Sequence, residues 1–501
     1  MPFFASLSVG KKSRFARLIT MNSIRSKTSL RQLIVMIAAI AFPVALQNLL
    51  TTTGSMVDTM MIASLGEKSV GAVGLCAQFS SLLFASYWGF VGGGMLFFAQ
   101  YWGARNHDGI RRSYGLTLSF MMIPGILFAL FAILRPDLVM AIYTDSPEIR
   151  AIGILYLRIV GFAYPLQVIA SAMAALLRSI ERVKIPMISG IVSVITNCLC
   201  NYVLIFGKFG LPAMGVQGAA LGTVIAGLVN VAVMALLILR HKIPYVLEIR
   251  SHFRWSLPFI ADYLSKCFPI ILNEVFIGIG NMMISIVLGH QIDEAIAATA
   301  VLRTLEGMVI GFFGGFSSAA SVLVGKEVGA GNHEEAYSRG WRLVYLCSGM
   351  IAIVGIVLLA LHSPILHMMG LSGTSYQIAT GMLIIYCCVA LIRMANWCMN
   401  DTYRAAGDSA FGSMLEILFM FLLVQPTIHI ANDLFHAPFL LVFLLCYIDE
   451  PVRYILMQHH MYSKKWIQPV SREGLASIAA FREKYHVGKP LQESHEWKNR
   501  R

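Results

Sequence analysis

Long apolar segments without charged residues recur along the whole chain. Six windows contain no Asp, Glu, Lys or Arg, namely 32–57, 69–104, 113–134, 185–207, 209–239 and 343–392. A helix that crosses a membrane needs about 20 mostly apolar residues. The pattern predicts twelve spans and hence an all-α polytopic membrane protein. The spans lie near 32–64, 70–102, 113–134, 149–177, 185–206, 216–239, 258–289, 293–325, 340–361, 375–404, 411–432 and 434–458.

The composition excludes an ordinary soluble enzyme. Hydrophobic residues make up 57% of the 501 residues and charged residues only 13%, whereas soluble domains average about 25% charged. Gly325-Lys326 comes nearest to a phosphate-binding loop, but it lacks the earlier glycine and the following Ser or Thr. The nine cysteines show no metal-binding or redox spacing. We therefore expect no enzymatic activity and no cofactor, and we expect any transport to run on an ion gradient.

Positive charge is concentrated at the two ends of the chain and in alternate connections. Residues 1–31 carry seven Lys or Arg and no acid, and residues 453–501 carry ten Lys or Arg and four Glu. The even-numbered connections between predicted spans hold fourteen Lys or Arg, when Arg404 at the end of span 10 is counted with the connection that follows it, and the odd-numbered ones hold four. Because Lys and Arg favour the cytoplasmic side, both termini are predicted to be cytoplasmic in a cell membrane. The basic ends indicate this orientation rather than a nucleic-acid partner.

The second half of the chain repeats motifs of the first half at a constant shift of 226 residues, for example from 42 to 268. The matching pairs are Phe42-Pro43 with Phe268-Pro269, Gly54 with Gly280, Gly103 with Gly329, and Arg178 with Arg404. We call positions matched by this shift repeat-related. Six spans separate the halves, so both halves cross the membrane in the same direction, and such repeats hold the substrate between them. The predicted lobes are 32–240 and 258–458. A basic linker at 241–257 joins them, and basic tails at 1–31 and 459–501 flank them.

Polar residues inside the first lobe form a candidate ion site. Asp58 lies in the outer part of span 1, where a charge is costly unless it is paired or hydrated. It is either an interfacial carboxylate reached by water or a site for a proton or Na⁺. Asn197 and Asn201 share one face of span 5. Their amide oxygens suit a hard cation, although such residues also join helices by hydrogen bonds.

Charged residues at membrane depth form a second candidate site in the other lobe. Glu274 lies near the middle of span 7, and a carboxylate buried without a charged partner takes up a proton more readily than one in water. Arg303 and Glu306 are three residues apart in span 8, so they are predicted to pair on one face. Arg393 is a further cation in span 10. This charge cluster either fixes packing or leaves Glu274 facing the cavity between the lobes, with Arg393 or no charged partner.

Aromatic residues accompany these sites. Trp88 in span 2 and Tyr164 in span 4 belong to a set whose members are mostly expected at the lipid or the interface. A minority could line a cavity for flat cationic ligands, to which aromatic rings are attracted.

Several motifs together resemble the multidrug and toxic compound extrusion (MATE) family over about residues 30–465. Pro43-x-x-x-Gln47 with Val57-Asp58-Thr59-Met60 resembles the first helix of that family, and Asn197-x-x-x-Asn201-Tyr202 resembles part of its helix 5–6 unit. The remaining motifs resemble its helix 2 and 8 ends and its helix 10–11 turn; they are Gln100-Tyr101-Trp102-Gly103-Ala104, Gly325-Lys326-Glu327-Val328-Gly329-Ala330 and Arg404-Ala405-Ala406-Gly407-Asp408.

The resemblance implies a V-shaped, two-lobed exporter that exchanges H⁺ or Na⁺ for cationic, amphiphilic drugs by alternating access. It implies a cation site in the first lobe at Asp58, Asn197, Asn201 and Thr223 and a coupling glutamate at Glu274. Gln47, Trp88 and Tyr164 are candidate positions in the substrate cavity. Asn201 and Arg393 stand where some members carry aspartate, which favours protons over Na⁺. We expect a monomer surrounded by membrane lipid.

Three alternatives stay open on the sequence. A flippase for lipid-linked oligosaccharides, from the same superfamily, would need a strongly cationic central cavity, for which Arg303 and Arg393 are candidates. A major-facilitator carrier is weakly suggested by the residues after span 2, but the repeat-related segment 329–333 does not share that pattern. A membrane scaffold or receptor without transport activity would not need Glu274.

Overall fold

The computed structural model describes residues 29–248, 252–289, 291 and 293–487. Most of the predicted N-terminal tail, part of the linker and the end of the C-terminal tail lie outside these residues. The described chain is helical and contains no β-strand. The first half consists of α1 (Leu30–Ala63), α2 (Glu67–Gly103), α3 (His107–Leu134), α4 (Pro136–Tyr143), α5 (Pro147–Val160), α6 (Ala163–Ser179), α7 (Lys184–Phe206), α8 (Val216–Arg240) and α9 (Pro244–Leu247).

The second half repeats this arrangement of long apolar helices. It consists of α10 (Leu257–Gly289), α11 (Asp293–Gly329), α12 (His333–Ala360), α13 (His362–Met368), α14 (Gly373–Ala405), α15 (Ala410–Phe419), α16 (Gln425–His429), α17 (Phe439–Leu445), α18 (Glu450–Ser463) and α19 (Arg472–Lys484). Among the described residues, ten continuous helical segments are long and apolar enough to cross a membrane, and α5 with α6 forms an eleventh span. The predicted twelfth span is α17 with α18. The fold is the predicted all-α membrane bundle with two parallel repeats.

Prolines explain where the predicted spans are bent. The predicted span 149–177 is two helices that meet at 49°, because Pro165 has no N–H to donate to the Gly161 carbonyl. Two π-helical turns, Met420–Val424 and Ile430–Leu434, flank α16. The first of them precedes Pro426, which likewise lacks an N–H for the preceding turn.

The two repeats touch most closely where α2 crosses α11. A Cβ atom on Gly103 would lie 1.9 Å from the Lys326 carbonyl oxygen, and one on Gly329 would lie 1.9 Å from the Gln100 carbonyl oxygen. Both contacts are backbone contacts, so only glycine fits at either position. The two glycines are repeat-related, as are Gln100 and Lys326, so the crossing obeys the symmetry of the repeat. It lies at the end of the bundle that carries the Lys- and Arg-rich connections, which we name the basic end.

The C-terminal segment 464–487 packs across the basic end and contacts both repeats. The Val470 N–H donates to the side-chain oxygen of Gln100 on α2 over 2.7 Å. Ser471 donates to the Gly329 carbonyl of α11 over 2.6 Å, and Trp466 is completely buried. The part of the predicted tail that the structure describes is therefore a packed strap, stabilised by apolar burial and by hydrogen bonds to both repeats.

Replacing Trp466 by alanine is expected to loosen this strap. Deleting a fully buried tryptophan side chain costs about 3 kcal/mol, because the cavity left behind is only partly refilled. We expect a lower midpoint of thermal unfolding for Trp466→Ala in detergent and faster proteolysis within 464–487. The exposed neighbour Lys465 provides the control: Lys465→Ala should match the parent, and equal midpoints for the two variants would contradict the packing described.

Candidate functional site

The structure brings Asp58 of α1 together with both predicted asparagines of α7. The Asn201 side-chain nitrogen donates to the Asp58 carboxylate over 2.5 Å. The Asn197 carboxamide, with its nitrogen toward Asp58, donates to the two carboxylate oxygens over 2.7 and 3.0 Å. Gly54 on α1 and Val194 on α7 touch one turn away, because a Cβ on Gly54 would lie 3.0 Å from the valine side chain. This close helix contact is what allows the three polar side chains to meet.

Both amides offer nitrogen to the carboxylate, which differs from the predicted arrangement of amide oxygens. The Asn201 side-chain oxygen points to the backbone of Gly222, where a Cβ would lie 2.1 Å away, and it has no hydrogen-bond partner in the described structure. Thr223 donates to the Ala219 carbonyl of its own helix over 3.1 Å. The oxygens of these side chains therefore do not converge with Asp58 on one point.

A cavity of about 540 Å³ lies between the two repeats. Its walls come from α1, α2 and α6 of the first repeat and from α10, α11, α14, α15 and α18 of the second. The apolar wall includes Phe84 and Trp88, which stack at 4.7 Å between ring centroids. The charged wall contains equal numbers of basic and acidic residues: Arg178, Arg393, Arg404, Arg453, Glu274, Asp401, Glu416 and Glu450.

Glu274 lies on the wall of this cavity and its charged neighbour is Arg404. The closest guanidinium nitrogen is 3.8 Å from the Glu274 carboxylate, and it is also 3.8 Å from Asp401. Arg404 further donates to the Asn273 side-chain oxygen over 2.7 Å. The prediction that Glu274 has Arg393 or no charged partner is wrong. Arg404, which was counted with the cytoplasmic connection after span 10, lies in the last turn of α14 and faces the cavity.

Arg393 forms an ion pair with Glu306 of α11 and lies 3.8 Å from Glu450 of α18. The predicted pair of Arg303 with Glu306 is wrong, since Arg303 instead donates to Ser285 of α10. Arg303 is exposed and does not belong to the charge cluster of the cavity. The neighbouring helix α14 supplies the arginine for Glu306, which spacing along a single helix could not reveal.

Sequence reasoning missed the acids and arginines that complete the charged wall. Glu416 accepts from Asn273 over 3.0 Å and lies 3.3 Å from Arg453. Arg453 also pairs with Glu450 over 2.8 Å. Glu416 lies inside a predicted span, so the rule that flagged Glu274, a charged residue at membrane depth, could have found it.

Of the three predicted cavity positions, the structure places one on the wall of the cavity between the repeats. Trp88 lies on the cavity wall, and its part in binding a ligand stays a prediction. The other two positions do not line this cavity: Gln47 packs on Gly190 of α7, and Tyr164 is buried within the first repeat with its hydroxyl 3.0 Å from Ser80.

Comparisons with known proteins agree on one family. The MatE family model matches residues 43–203 and 269–428, and the two matches begin at repeat-related positions. An uncharacterized transporter, YisQ of Bacillus subtilis, is 25% identical over 82% of this chain and 90% of its own length. A probable multidrug resistance protein, NorM of Thermotoga maritima, is 24% identical over 66% of this chain and 70% of its own. A MOP superfamily transporter from Pyrococcus furiosus, 17% identical, superposes with a TM-score of 0.76 over 86% of this chain and 96% of its own.

Proposed function

The chain belongs to the MatE family, and we propose that it is a secondary active exporter of amphiphilic organic cations driven by inward movement of protons. The observation that carries this proposal is the cavity between the repeats, in which Glu274 and Trp88 line one space. Its volume of about 540 Å³ falls in the range of about 300–1,000 Å³ typical of small-molecule sites. A carboxylate and an aromatic face both attract an organic cation. Exchange of access between the two sides would follow from rearrangement of the repeats about this cavity.

Asp58 is the proposed site of proton coupling. Sodium in proteins is held by several oxygen atoms, whereas here both amides present nitrogen to the carboxylate. An amide group also suits a carboxyl group that gains a proton, because turning the amide over replaces its donor nitrogen with an acceptor oxygen. Asn197 and Asn201 thus support both charge states of Asp58. For this reason protons are favoured over Na⁺ as the coupling ion.

The alternatives are weaker on the same observations. Membership in the MatE family removes the major-facilitator carrier. A flippase for lipid-linked oligosaccharides would need a strongly cationic cavity, but the wall carries four arginines and four acids. The proposed transporter acts as a monomer, since the repeats of one chain line the cavity. It lies in the cell membrane with both termini in the cytoplasm, as the distribution of Lys and Arg indicates.

Export by purified protein in proteoliposomes tests the proposal. We expect the cationic dye rhodamine 6G to move against its gradient when a pH difference is imposed, and we expect addition of dye to start proton movement. A Na⁺ gradient without a pH difference should give no dye movement above protein-free liposomes. Dye movement driven by Na⁺ alone would contradict proton coupling, and no dye movement under either gradient would contradict export of organic cations.

Replacing Glu274 by glutamine is expected to weaken binding of the cationic dye. The change removes a negative charge from the cavity wall and leaves Arg404 with one acid fewer. We expect the dissociation constant of rhodamine 6G, measured by fluorescence polarisation, to rise about tenfold, which is about 1.4 kcal/mol of binding free energy. Asp108→Asn, which removes an exposed carboxylate at the start of α3, is the control and should bind as the parent does. Unchanged affinity in Glu274→Gln would make Glu274 a packing residue.

A further inference from the structure

Two repeat-related arginines face the cavity, but their surroundings differ. Arg404 of the second repeat lies 3.8 Å from each of the carboxylates of Glu274 and Asp401. Its counterpart in the first repeat is Arg178, in the last turn of α6, which also lines the cavity. The Arg178 Nε donates to the Ala174 carbonyl of its own helix over 3.3 Å. Within the described residues, Arg178 forms no ion pair.

The difference follows from the residues at the repeat-related positions. Each acid near Arg404 has a counterpart without charge near Arg178. The pairs are Glu274 with Asn48, Asp401 with Ala175, and Glu416 with Gly190. The second repeat thus neutralises its arginine, while the first repeat carries no acid at the three corresponding positions.

Contacts in the structure support this correspondence. Asn273 of α10 contacts Glu416 of α15 over 3.0 Å. In the first repeat, Gln47 packs on Gly190, whose Cβ would lie 3.2 Å from the glutamine nitrogen. The counterparts therefore occupy equivalent places in the two repeats. Over its described residues, the first repeat places no acid beside Arg178, so its charge at the cavity wall is not neutralised.

A guanidinium group on the wall of a cavity between apolar helices is costly unless a negative group or water compensates it. Guanidinium groups bind carboxylates through two parallel hydrogen bonds, and Arg178 is half-buried at the wall of a cavity of ligand size. We propose that Arg178 binds a carboxylate of the transported molecule, so that the preferred substrates are zwitterionic amphiphiles. This inference rests on the proposed export function and adds a second recognition group, of opposite charge, to the one at Glu274.

Two dyes that differ only in one ester group test the inference. Rhodamine 19 carries a free carboxylate, and rhodamine 6G is its ethyl ester and a cation. Binding of each dye is measured by fluorescence polarisation to the full-length protein in phosphatidylcholine nanodiscs, where no anionic lipid competes. For Arg178→Gln we expect about tenfold weaker binding of rhodamine 19, the loss of a charge-assisted hydrogen bond, and less than about a twofold change for rhodamine 6G. Arg178→Lys should restore part of the affinity for rhodamine 19.

The matched control is Arg182→Gln, because Arg182 is exposed in the connection between α6 and α7 and does not line the cavity. It should bind both dyes as the parent does. Equal weakening of both dyes in Arg178→Gln would assign Arg178 to packing and overturn the inference. Parent protein that binds rhodamine 6G but not rhodamine 19 would also overturn it, while gradient-driven export of rhodamine 6G would leave the proposed function intact.

Discussion

Asp58→Asn is expected to abolish exchange of protons for dye while leaving the protein folded. Asparagine has nearly the same shape as aspartate and keeps hydrogen-bonding capacity toward Asn197 and Asn201, but it cannot carry a proton across the membrane. We expect the rate of pH-driven export of rhodamine 6G to fall at least about tenfold, the equivalent of about 1.4 kcal/mol in the barrier to transport. Binding of the dye at equilibrium should change little, because Asp58 does not line the cavity.

Asp145→Asn is the matched control for this variant. Asp145 lies in the exposed connection between α4 and α5, so its replacement changes the net charge equally without touching an ion site. Parent-like export is expected from it. Export by Asp58→Asn at the rate of the parent would remove Asp58 from coupling and shift attention to the acids of the second repeat.

The ion site of the first repeat could be predicted from sequence because its pattern is local. Asn197 and Asn201 share a helix face by spacing alone, and Asp58 is an isolated charge in an apolar span. The resemblance to a family then indicated that Asp58 of α1 and the asparagines of α7 form one site. What sequence could not provide was which atom of each amide faces the carboxylate, since that depends on how Asn201 packs against Gly222 of a third helix.

The charge cluster of the second repeat was predicted less well because its pairs join different helices. Spacing favours Arg303 with Glu306, yet Arg393 of α14 is the partner that packing brings within reach. Arg404 was counted as a charge of a connection, because counting rules use sequence position and not side-chain direction. The twelfth span is interrupted at 446–449, because Pro451 near the start of α18 has no N–H to donate to the Tyr447 carbonyl. Glu450 and Arg453, which follow the interruption, pair at the cavity wall.

The glycine crossing at the basic end leads to the second prediction with a large expected effect. Gly329→Ala adds a Cβ that would lie 1.9 Å from the Gln100 carbonyl oxygen, a distance that real atoms do not reach, so α2 and α11 must separate. Gln100 also donates to the Ala405 carbonyl over 2.9 Å and accepts from Val470, so separation breaks several contacts together. If the transport cycle requires α2 and α11 to meet at the basic end, Gly329→Ala keeps that end of the protein open.

We expect Gly329→Ala to lose at least about tenfold in pH-driven dye export, the equivalent of about 1.4 kcal/mol against the closed state. Hydrogen–deuterium exchange should rise in 97–104 and 323–330, where the two helices cross. Gly103→Ala should behave alike, because its Cβ would meet the Lys326 carbonyl oxygen at the same distance. Gly307→Ala is the control on the same helix, where a Cβ meets nothing within 4 Å and alanine favours the helix. If Gly329→Ala shows the same hydrogen–deuterium exchange and the same dye export as Gly307→Ala, the crossing is not part of the transport cycle.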